Sequence, residues 1–452
     1  MSEVKTGRRT ALKYIATGVI CGAVAGVGGY LAAPKKVEVV EKPVEKVVYK
    51  PPPKRPIPKE PIKIGVMAWA TGPYGFFLGQ GIPSAEILAE EINAAGGILG
   101  RKVEIISIDH PSVDVCVREY KRLVTEEKVD LIFETGGSGF GLAIAPLAEE
   151  MKTLTFHGDV WTVELFLKKV PKPKYNFRIA QPDSQSAIAI VLSIKKYYPD
   201  VSTVAIISPD YAWGRDQSAM QQEALDALIP GTKVVLDLYP AVGEKDYTSY
   251  ITKINDAKPD VTIVNLFAGD FIVFNKQALG MGFYKNTKPA ITALNSDVPM
   301  LTKEEVPEGV LAHCAHYWFL WPPHERYPIN GEHVKKFIAK TGKYLTYNPQ
   351  NAYVTIMGYK IAVERAYEKL GEYPTTEQII EELEGMGFNA LAGHGFFRPE
   401  DHQWTSRQFM GLTKHVPEYD CPIIEPITVI DPAESLPPPG MSAKDWIMTW
   451  KK

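Results

Sequence analysis

Apolar residues along the chain fall into two kinds of run. Short apolar blocks are separated by longer stretches in which apolar residues recur every three or four positions. IKIGVMAW, at 62–69, is the first block and predicts a strand. Residues 84–95 follow with Ala85, Leu88 and Ile92 on one helical face, and Gly96 and Gly97 end that helix. A strand at 102–109, a helix over 113–126, a strand at 129–134, a helix opened by Ser138 and a strand at TLTFHGD continue the alternation. The rhythm restarts after Arg178, with strands at 201–208, 232–240, 259–267 and 289–294 and helices between them. Strands alternating with helices imply parallel sheets joined by right-handed crossovers. Two such series predict an α/β protein of two doubly wound parallel-sheet lobes. Ligands bind beyond the carboxyl ends of such strands, so the loops after each strand are the candidate site. From Val310 onward the pattern is less regular. Helices fit 350–370 and 375–386, and the Pro-rich end with Trp446 and Trp450 reads as a surface strap or a partner contact.

The start of the chain has a different pattern. Arg8 and Arg9 stand together, and an uncharged stretch of 20 residues runs from Tyr14 to Ala33. This is a charged segment followed by an apolar one, the layout of an export signal. G-R-R-T-A-L-K resembles a twin-arginine signal, departing from it at Gly7 and Ala11, so the general secretory route stays open. The run is also about long enough to span a bilayer. Residues 1–33 therefore read as a signal or a membrane anchor. Residues 34–61 are rich in Pro among Lys, Glu and Val, a composition that favours extended geometry and forms no packed core. Such a linker would reach about 85 Å at ~3.1 Å per residue.

With 452 residues, 45% of them hydrophobic, the chain can bury two cores. A formal net charge of -3 gives no footprint for nucleic acid and no sign of disorder. Cys21, Cys116, Cys314 and Cys421 have no metal-site spacing. At most one disulfide fits, with Cys314 and Cys421 as candidates; isolated buried thiols are the alternative.

The Gly136–Gly141 turn, which follows a strand and opens a helix, is where an enzyme motif would fall. Phe140 stands where a nucleophile elbow needs its second glycine. The alternate glycines 137, 139 and 141 do not make a dinucleotide fingerprint, and no phosphate-loop sequence occurs. What remains is a turn whose backbone N–H groups and Ser138 hydroxyl can face a partly negative group at a helix N-terminus. Glycine density alone also fits a bare strand-to-helix turn. His313 and His316 flank Cys314 in a strand, so alternation puts them on opposite faces and against sharing a metal. Asp109, Asp114, Asp159 and Asp210 lie on different loops without a matching nucleophile. No cofactor or metal is expected.

The aromatic residues are more informative. Trp69, Tyr74, Phe76 and Phe77 fall after the first strand, and Trp161, Tyr211, Trp213 and Phe267 after later ones. So many rings in loops would be unfavourable in water. Small-molecule sites are mainly apolar and aromatic with a few placed polar groups. Rings on the same side of both lobes therefore suggest a shared ligand site.

These segments resemble the branched-chain amino acid-binding proteins, solute receptors with the type I periplasmic-binding fold. The resemblance runs from about Ile62 to about Trp404. It rests on IKIGVMAWATGPYG, INAAGGILGRKVEIISID, the Ser138 turn, VAIISPDYAWG and the run at 259–282. It implies two lobes, 62–181 with 317–393 and 182–316 with 394–430, and a C-terminal extension at 431–452. It implies three hinge crossings, near 180–183, 313–317 and 393–397. It implies that Phe77 covers the ligand side chain while Gly137 and Ser138 hold its carboxylate. Asp159 and Trp161 fall in the next contacting loop, Trp213 and Phe267 on the second lobe, and Leu294 or Asn295 where amino-acid binders carry an acid. That acid is missing here, Trp161 replaces a small hydroxyl residue, and Gly137 replaces a frequent cysteine.

The function implied is capture of a small organic solute outside the cytoplasmic membrane for the permease subunits of an ABC importer. The expected ligand is a carboxylate or amide with a flat or apolar body, aromatic or branched-chain amino acid-like, and not a free α-amino acid unless Asp159, Asp210 or Asp270 turns into the cleft to meet its ammonium. The alternatives are a ligand-sensing domain for a signalling partner, which the fold and an anchor would allow, and an enzyme, for which no catalytic set was found.

Overall fold

The first apolar block becomes β1 (Ile62–Ala68), and its lack of alternation follows from burial on both faces. In a computed structural model, which describes residues 53–72, 74–297, 300–314 and 328–451, β1 lies inside a five-stranded parallel sheet. The expected signal or anchor at 1–33 and the linker up to residue 52 lie outside the described residues, as do the side chains of Asn295 and Cys314. After β1 come the short α1 (Gly75–Leu78) and α2 (Gly81–Ala94), then β2 (Val103–Asp109), α3 (Val113–Arg122), β3 (Leu131–Thr135) and α4 (Ser138–Met151). β4 (Thr155–His157) and β5 (Asn176–Arg178) complete the sheet, in the order β2-β1-β3-β4-β5. Ile64 faces Ile105 on one side and Leu131 on the other.

The second lobe starts with α5 (Asp183–Tyr197), β6 (Thr203–Ile207), α6 (Ala212–Leu228), β7 (Lys233–Leu238) and α7 (Thr248–Ala257). β8 (Val261–Val264), α8 (Ala268–Gly280), α9 (Phe283–Asn286), β9 (Lys288–Ile291), α10 (Leu294–Asp297) and β10 (Leu311–Cys314) follow. Its parallel strands run β7-β6-β8-β9-β10. β8 ends earlier than its apolar run. The Asn265 N–H still donates to the Ile207 carbonyl (2.9 Å), its side chain donates to Ser208 Oγ (2.8 Å) and Gln221 Oε1 (2.9 Å), and the loop that carries Phe267 follows.

The later chain supplies α11 (Pro328–Thr341), α12 (Asn348–Leu370), α13 (Thr376–Leu383) and the hairpin of β11 (Gly387–Ala390) and β12 (Gly393–Phe396). β13 (Gln408–Lys414) then pairs antiparallel to β10, and β14 (Ile423–Ile424) and β15 (Thr428–Ile430) pair antiparallel to β13. The fold is two doubly wound lobes, with three antiparallel strands added to the second sheet.

Of the three expected passages between lobes, the one at 313–317 runs into residues outside the described ones, and one of the other two differs from expectation. Ile179 belongs to the first core and Ala187 to the second, in keeping with a crossing at 180–183. The crossing expected at 393–397 lies later. Phe397 and Trp404 pack with Phe156 and Phe177 in the first core, whereas Phe409 belongs to the second. Trp404 N–H donates to the Arg178 carbonyl (2.8 Å), which ties this segment to the edge of the first sheet. The chain thus changes lobe at 405–408, and the β11–β12 hairpin closes the first lobe. α11 is shared: its Lys336 pairs with Glu91 of α2 (2.7 Å), while Val334 and Phe337 join a core containing Phe409 and Ile423.

Three smaller expectations resolve here. Cys421 is a free, buried thiol, so the Cys314–Cys421 disulfide does not form. Cys314 faces Phe409 at one end of β13, and Cys421 precedes Ile423, which faces Lys414 at the other end. Several residues of strand separate them, beyond the reach of a disulfide. His313 is buried and bonded to the Thr292 carbonyl (2.9 Å) and Gln408 Oε1 (2.7 Å), a packing role; His316 lies outside the described residues. The C-terminal segment folds onto the second lobe, with α14 (Pro432–Ser435) against α5 and α15 (Ala443–Met448) against α6.

The segment before β1 is fastened to the first lobe. Arg55 forms an ion pair with Glu372 (2.7 Å) and donates to the Tyr373 carbonyl (2.7 Å) and Gln378 Oε1 (2.6 Å). Arg101 donates to the carbonyls of Glu60 (2.8 Å) and Pro61 (3.1 Å). Among the described residues no helix is long and apolar enough to cross a membrane.

Candidate functional site

The loops that leave the carboxyl ends of both sheets converge on a cavity of about 450 Å³. Its size suits a small organic molecule. The first lobe contributes Trp69, Tyr74 and Phe77 from the loop after β1, the Gly136–Gly139 turn after β3, and Asp159 and Trp161 after β4. The second contributes Tyr211 and Trp213 after β6, Phe267 and Asp270 after β8, and Ala293 and Ser296 after β9. Of the residues singled out from sequence, Phe77, Gly137, Ser138, Asp159, Trp161, Trp213 and Phe267 all line this one space. The side chain of Asn295 lies outside the described residues; Ala293 and Ser296 nearby line the cavity.

The rings touch in sequence around the wall. Trp69 meets Tyr74 edge-on (centroids 5.1 Å) and Phe140 (5.6 Å). Tyr74 reaches across the lobes to Phe267 (6.1 Å), which meets Trp213 edge-on (5.5 Å). On the other flank Phe77 meets Tyr347 (6.2 Å), and Tyr347 meets Trp161 (5.5 Å).

The polar floor is built at α4. Gly137, its N-cap, has φ 102°, a left-handed conformation open to glycine at no steric cost. Gly136 is needed for a different reason: a β-carbon there would stand 2.2 Å from His110 Cε1 and 2.7 Å from Glu134 Oε1. Glu134 itself is fully buried, 3.7 Å from His157 and 4.0 Å from His110. The turn therefore rests on a packed polar layer. The Ser138 hydroxyl accepts the Thr162 N–H (3.2 Å), which leaves its own proton free to donate into the cavity.

Asp159 is the second polar element. Its Oδ1 accepts from the Tyr347 hydroxyl and from Trp161 Nε1 (3.0 Å). Its Oδ2 lies 3.7 Å from where a Gly137 β-carbon would sit, beside the α4 N-terminus. Burial pushes its carboxyl up to about 8, against the pull of those two hydrogen bonds. Asp270 sits in the first turn of α8, and its carboxylate accepts the Gly243 N–H (3.0 Å). Burial raises it too. Asp159 and Asp270 are two of the three acids considered from sequence as partners for a ligand nitrogen, and both line the cavity. Asp210 does not serve: it is paired with Arg215 (2.5 Å) and does not line the cavity. Asp297, fully buried, accepts the Ala268 N–H (2.6 Å) and holds Ala268 at φ 53°, which shapes the approach of Phe267.

Tyr347 was not found from sequence, although it is central. It is the N-cap of α12, and the Pro at 349 marked that start. Its surroundings are stitched to the first lobe: Asn348 Nδ2 donates to the Phe77 carbonyl (3.0 Å) and Asn351 Nδ2 to the Gly158 carbonyl (2.5 Å). Leu78, Pro209 and Val242 also line the cavity without a prior signal. Among the described residues no group of His, Cys, Asp and Glu is arranged to hold a metal ion.

Two lobes closing on a cavity at the carboxyl ends of their strands define a solute-binding architecture. Residues 61–413 match the periplasmic binding protein family, and the chain belongs to it. It is 24% identical over 255 residues to Leu/Ile/Val-binding protein homolog 7 of Brucella suis biovar 1 (strain 1330). That match covers 52% of this chain and 62% of the relative, so it spans about three fifths of the relative's length. Among solved structures, the solute binding protein of an ABC transporter from Rhodopseudomonas palustris BisB5, in complex with 3,4-dihydroxy benzoic acid, superposes with a TM-score of 0.71. It shares 21% identity, over 85% of this chain and 100% of that one. An ABC-type branched-chain amino acid transporter protein from Rhodopseudomonas palustris CGA009 gives a TM-score of 0.68 at 23% identity, over 84% and 100% of the chains.

Proposed function

We propose that this protein is the solute-capturing component of an ABC importer and performs no catalysis. It works outside the cytoplasmic membrane, as its family implies. A small organic solute with a flat or apolar body enters between the lobes, and the closed form docks on permease subunits. The observation that carries this reading is the cavity itself, about 450 Å³ walled by rings from both lobes. A ligand touching both walls favours the closed arrangement by its differential contact with it. The ring-bearing ligand of one structural relative supports a solute of this shape.

The test is a solute screen read by small-angle scattering, in which the matching solute should compact the protein. An unchanged radius at saturation would count against closure. Trp213→Ala and Phe267→Ala should each weaken that solute by about 0.5–1.5 kcal/mol, with thermal stability nearly unchanged because both rings are half-exposed. Equal affinity in both variants would remove the second lobe from the site.

Export is part of the same proposal, with residues 1–33 as signal or anchor. Replacing Arg8 and Arg9 with Lys should strand the protein in the cytoplasm if the twin-arginine route carries it. Normal export of that variant would assign the general secretory route.

A further inference from the structure

We propose that Asp159 acts as a neutral acid that donates a hydrogen bond from Oδ2 to a carboxylate of the captured solute, so that an anionic solute is held only while this side chain keeps its proton. The proposal rests on the solute-capture reading above, with the solute's carboxylate at the Ser138 turn. What it adds is the residue that decides which charge the site accepts. Three observations carry it.

First, the two oxygens of Asp159 have different neighbours. Oδ1 accepts from Trp161 Nε1 (3.0 Å), a group that can only donate, and bonds the Tyr347 hydroxyl. Oδ2 takes part in no hydrogen bond with the described residues, although Asp159 is only 7% exposed. It lies beside the N-cap glycine of α4, 3.7 Å from the β-carbon position, and the residue lines the cavity. A proton on this carboxyl therefore belongs on Oδ2, beside the turn.

Second, the turn already gathers donors. The first N–H groups of a helix have no acceptor within it. The Ser138 hydroxyl accepts the Thr162 N–H (3.2 Å), which leaves its own proton to donate. Donors converging on one spot suit an acceptor with several lone pairs, and a carboxylate is one. An ionised Asp159 there would repel it, because two adjacent carboxylates cannot both ionise freely. A protonated Asp159 adds one more donor instead.

Third, the described lining holds no Lys, Arg or His that could neutralise an anion. Burial, with Glu134 adding to it, pushes Asp159 up to about 8. A free carboxyl titrates near 4, so the shared proton stays on the protein and does not pass to the solute. The other titratable groups around Asp159 are Tyr74 after β1, Tyr347 on α12, and Tyr211 and Asp270 of the second lobe. His110 and His157 flank Glu134. Burial raises all three tyrosines, so they stay neutral where Asp159 titrates.

The test is calorimetry on the full chain with benzoate as the probe, at pH 6.5 and 9.5, in two buffers of different ionisation enthalpy. Affinity should fall about thirtyfold between the two pH values, the loss for a site that needs one proton on a group titrating near 8. At pH 9.5 each benzoate bound should take up about one proton from the buffer. Asp159→Asn keeps a donor, the Nδ2 amide, where Oδ2 stood. It should bind benzoate at pH 6.5 within about threefold of the unsubstituted protein, keep that affinity at pH 9.5 and take up no proton. Equal affinity at both pH values in the unsubstituted protein, or binding there without proton uptake, would overturn the proposal whether or not the variant folds. Tighter benzoate binding by Asp159→Asn at pH 6.5 would do the same, since it marks an ionised aspartate. No benzoate binding at millimolar concentration would overturn it too, and compaction by another solute would then leave solute capture standing.

Discussion

Trp404→Ala is expected to lower the unfolding free energy by about 3–5 kcal/mol, the usual cost of truncating a buried tryptophan. Trp404 is 1% exposed and fills the space between Phe397 (4.9 Å) and Phe388 (4.9 Å). Collapse around the deletion is restricted on one side. Gly395 lies so close that even a β-carbon there would come within 2.5 Å of the ring. The backbone of Trp404 also holds Arg178, so a cavity here would loosen the edge of the first sheet where the chain turns toward the second lobe. Denaturant unfolding measures the effect. Phe396→Ala, next to the Phe397 that bridges to Trp404 but 42% exposed, should stay within about 0.5 kcal/mol. A Trp404→Ala loss below about 1 kcal/mol would mean that the hairpin is not part of the first core.

The second large effect is on stability against pH. Asp159 is pushed up to about 8 and Asp183 to about 7, each chiefly by burial, and burial holds Asp297 well above the usual range. An unfolded aspartate titrates near 4. Between those values the folded chain binds protons that the unfolded chain does not. Stability therefore rises as pH falls from about 9 toward 6.5, by about 1.4 kcal/mol per pH unit for each carboxyl protonated only in the folded state. Below that the slope lessens. Burial lowers His313, and lowers His333 to about 4, so each must stay neutral in the fold while the unfolded chain protonates it. The groups acting on Asp159 are Tyr347, Trp161 and Glu134, and Glu134 lies beside His110 and His157. Melting temperature should rise from pH 9 down to pH 5, more gently below about pH 6.5, and Asp159→Asn should flatten its alkaline limb. A melting temperature that climbs steadily to pH 9 would mean that these carboxyls are ionised in the free protein.

Much of the fold could be read because central parallel strands announce themselves. β1 and β3 are buried on both faces, so their apolar runs are nearly unbroken. β13 is buried too, but its run is broken by Gly411, where a β-carbon would lie 2.8 Å from the Pro426 carbonyl. That requirement comes from a strand pairing formed later in the chain and has no local signature. The rings of the site were legible because loops rarely carry them. The partnership of Asp159 with Tyr347, 188 positions apart, was not. Without it Asp159 was one acid among several. The late crossing at 405–408 was hidden for a similar reason, since only the packing of Trp404 assigns the hairpin to a lobe.

The grip of Arg55 bears on how the protein would behave under load. All of its partners, Glu372, Tyr373 and Gln378, belong to the loop and helix that follow α12 in the first lobe. Tension arriving along the chain from the side of residue 54 is therefore received by one lobe alone. In the proposed closure the second lobe would be the free arm, and its swing would do no work against that tension. Opening and closing should then cost the same whether the chain before residue 54 is slack or stretched.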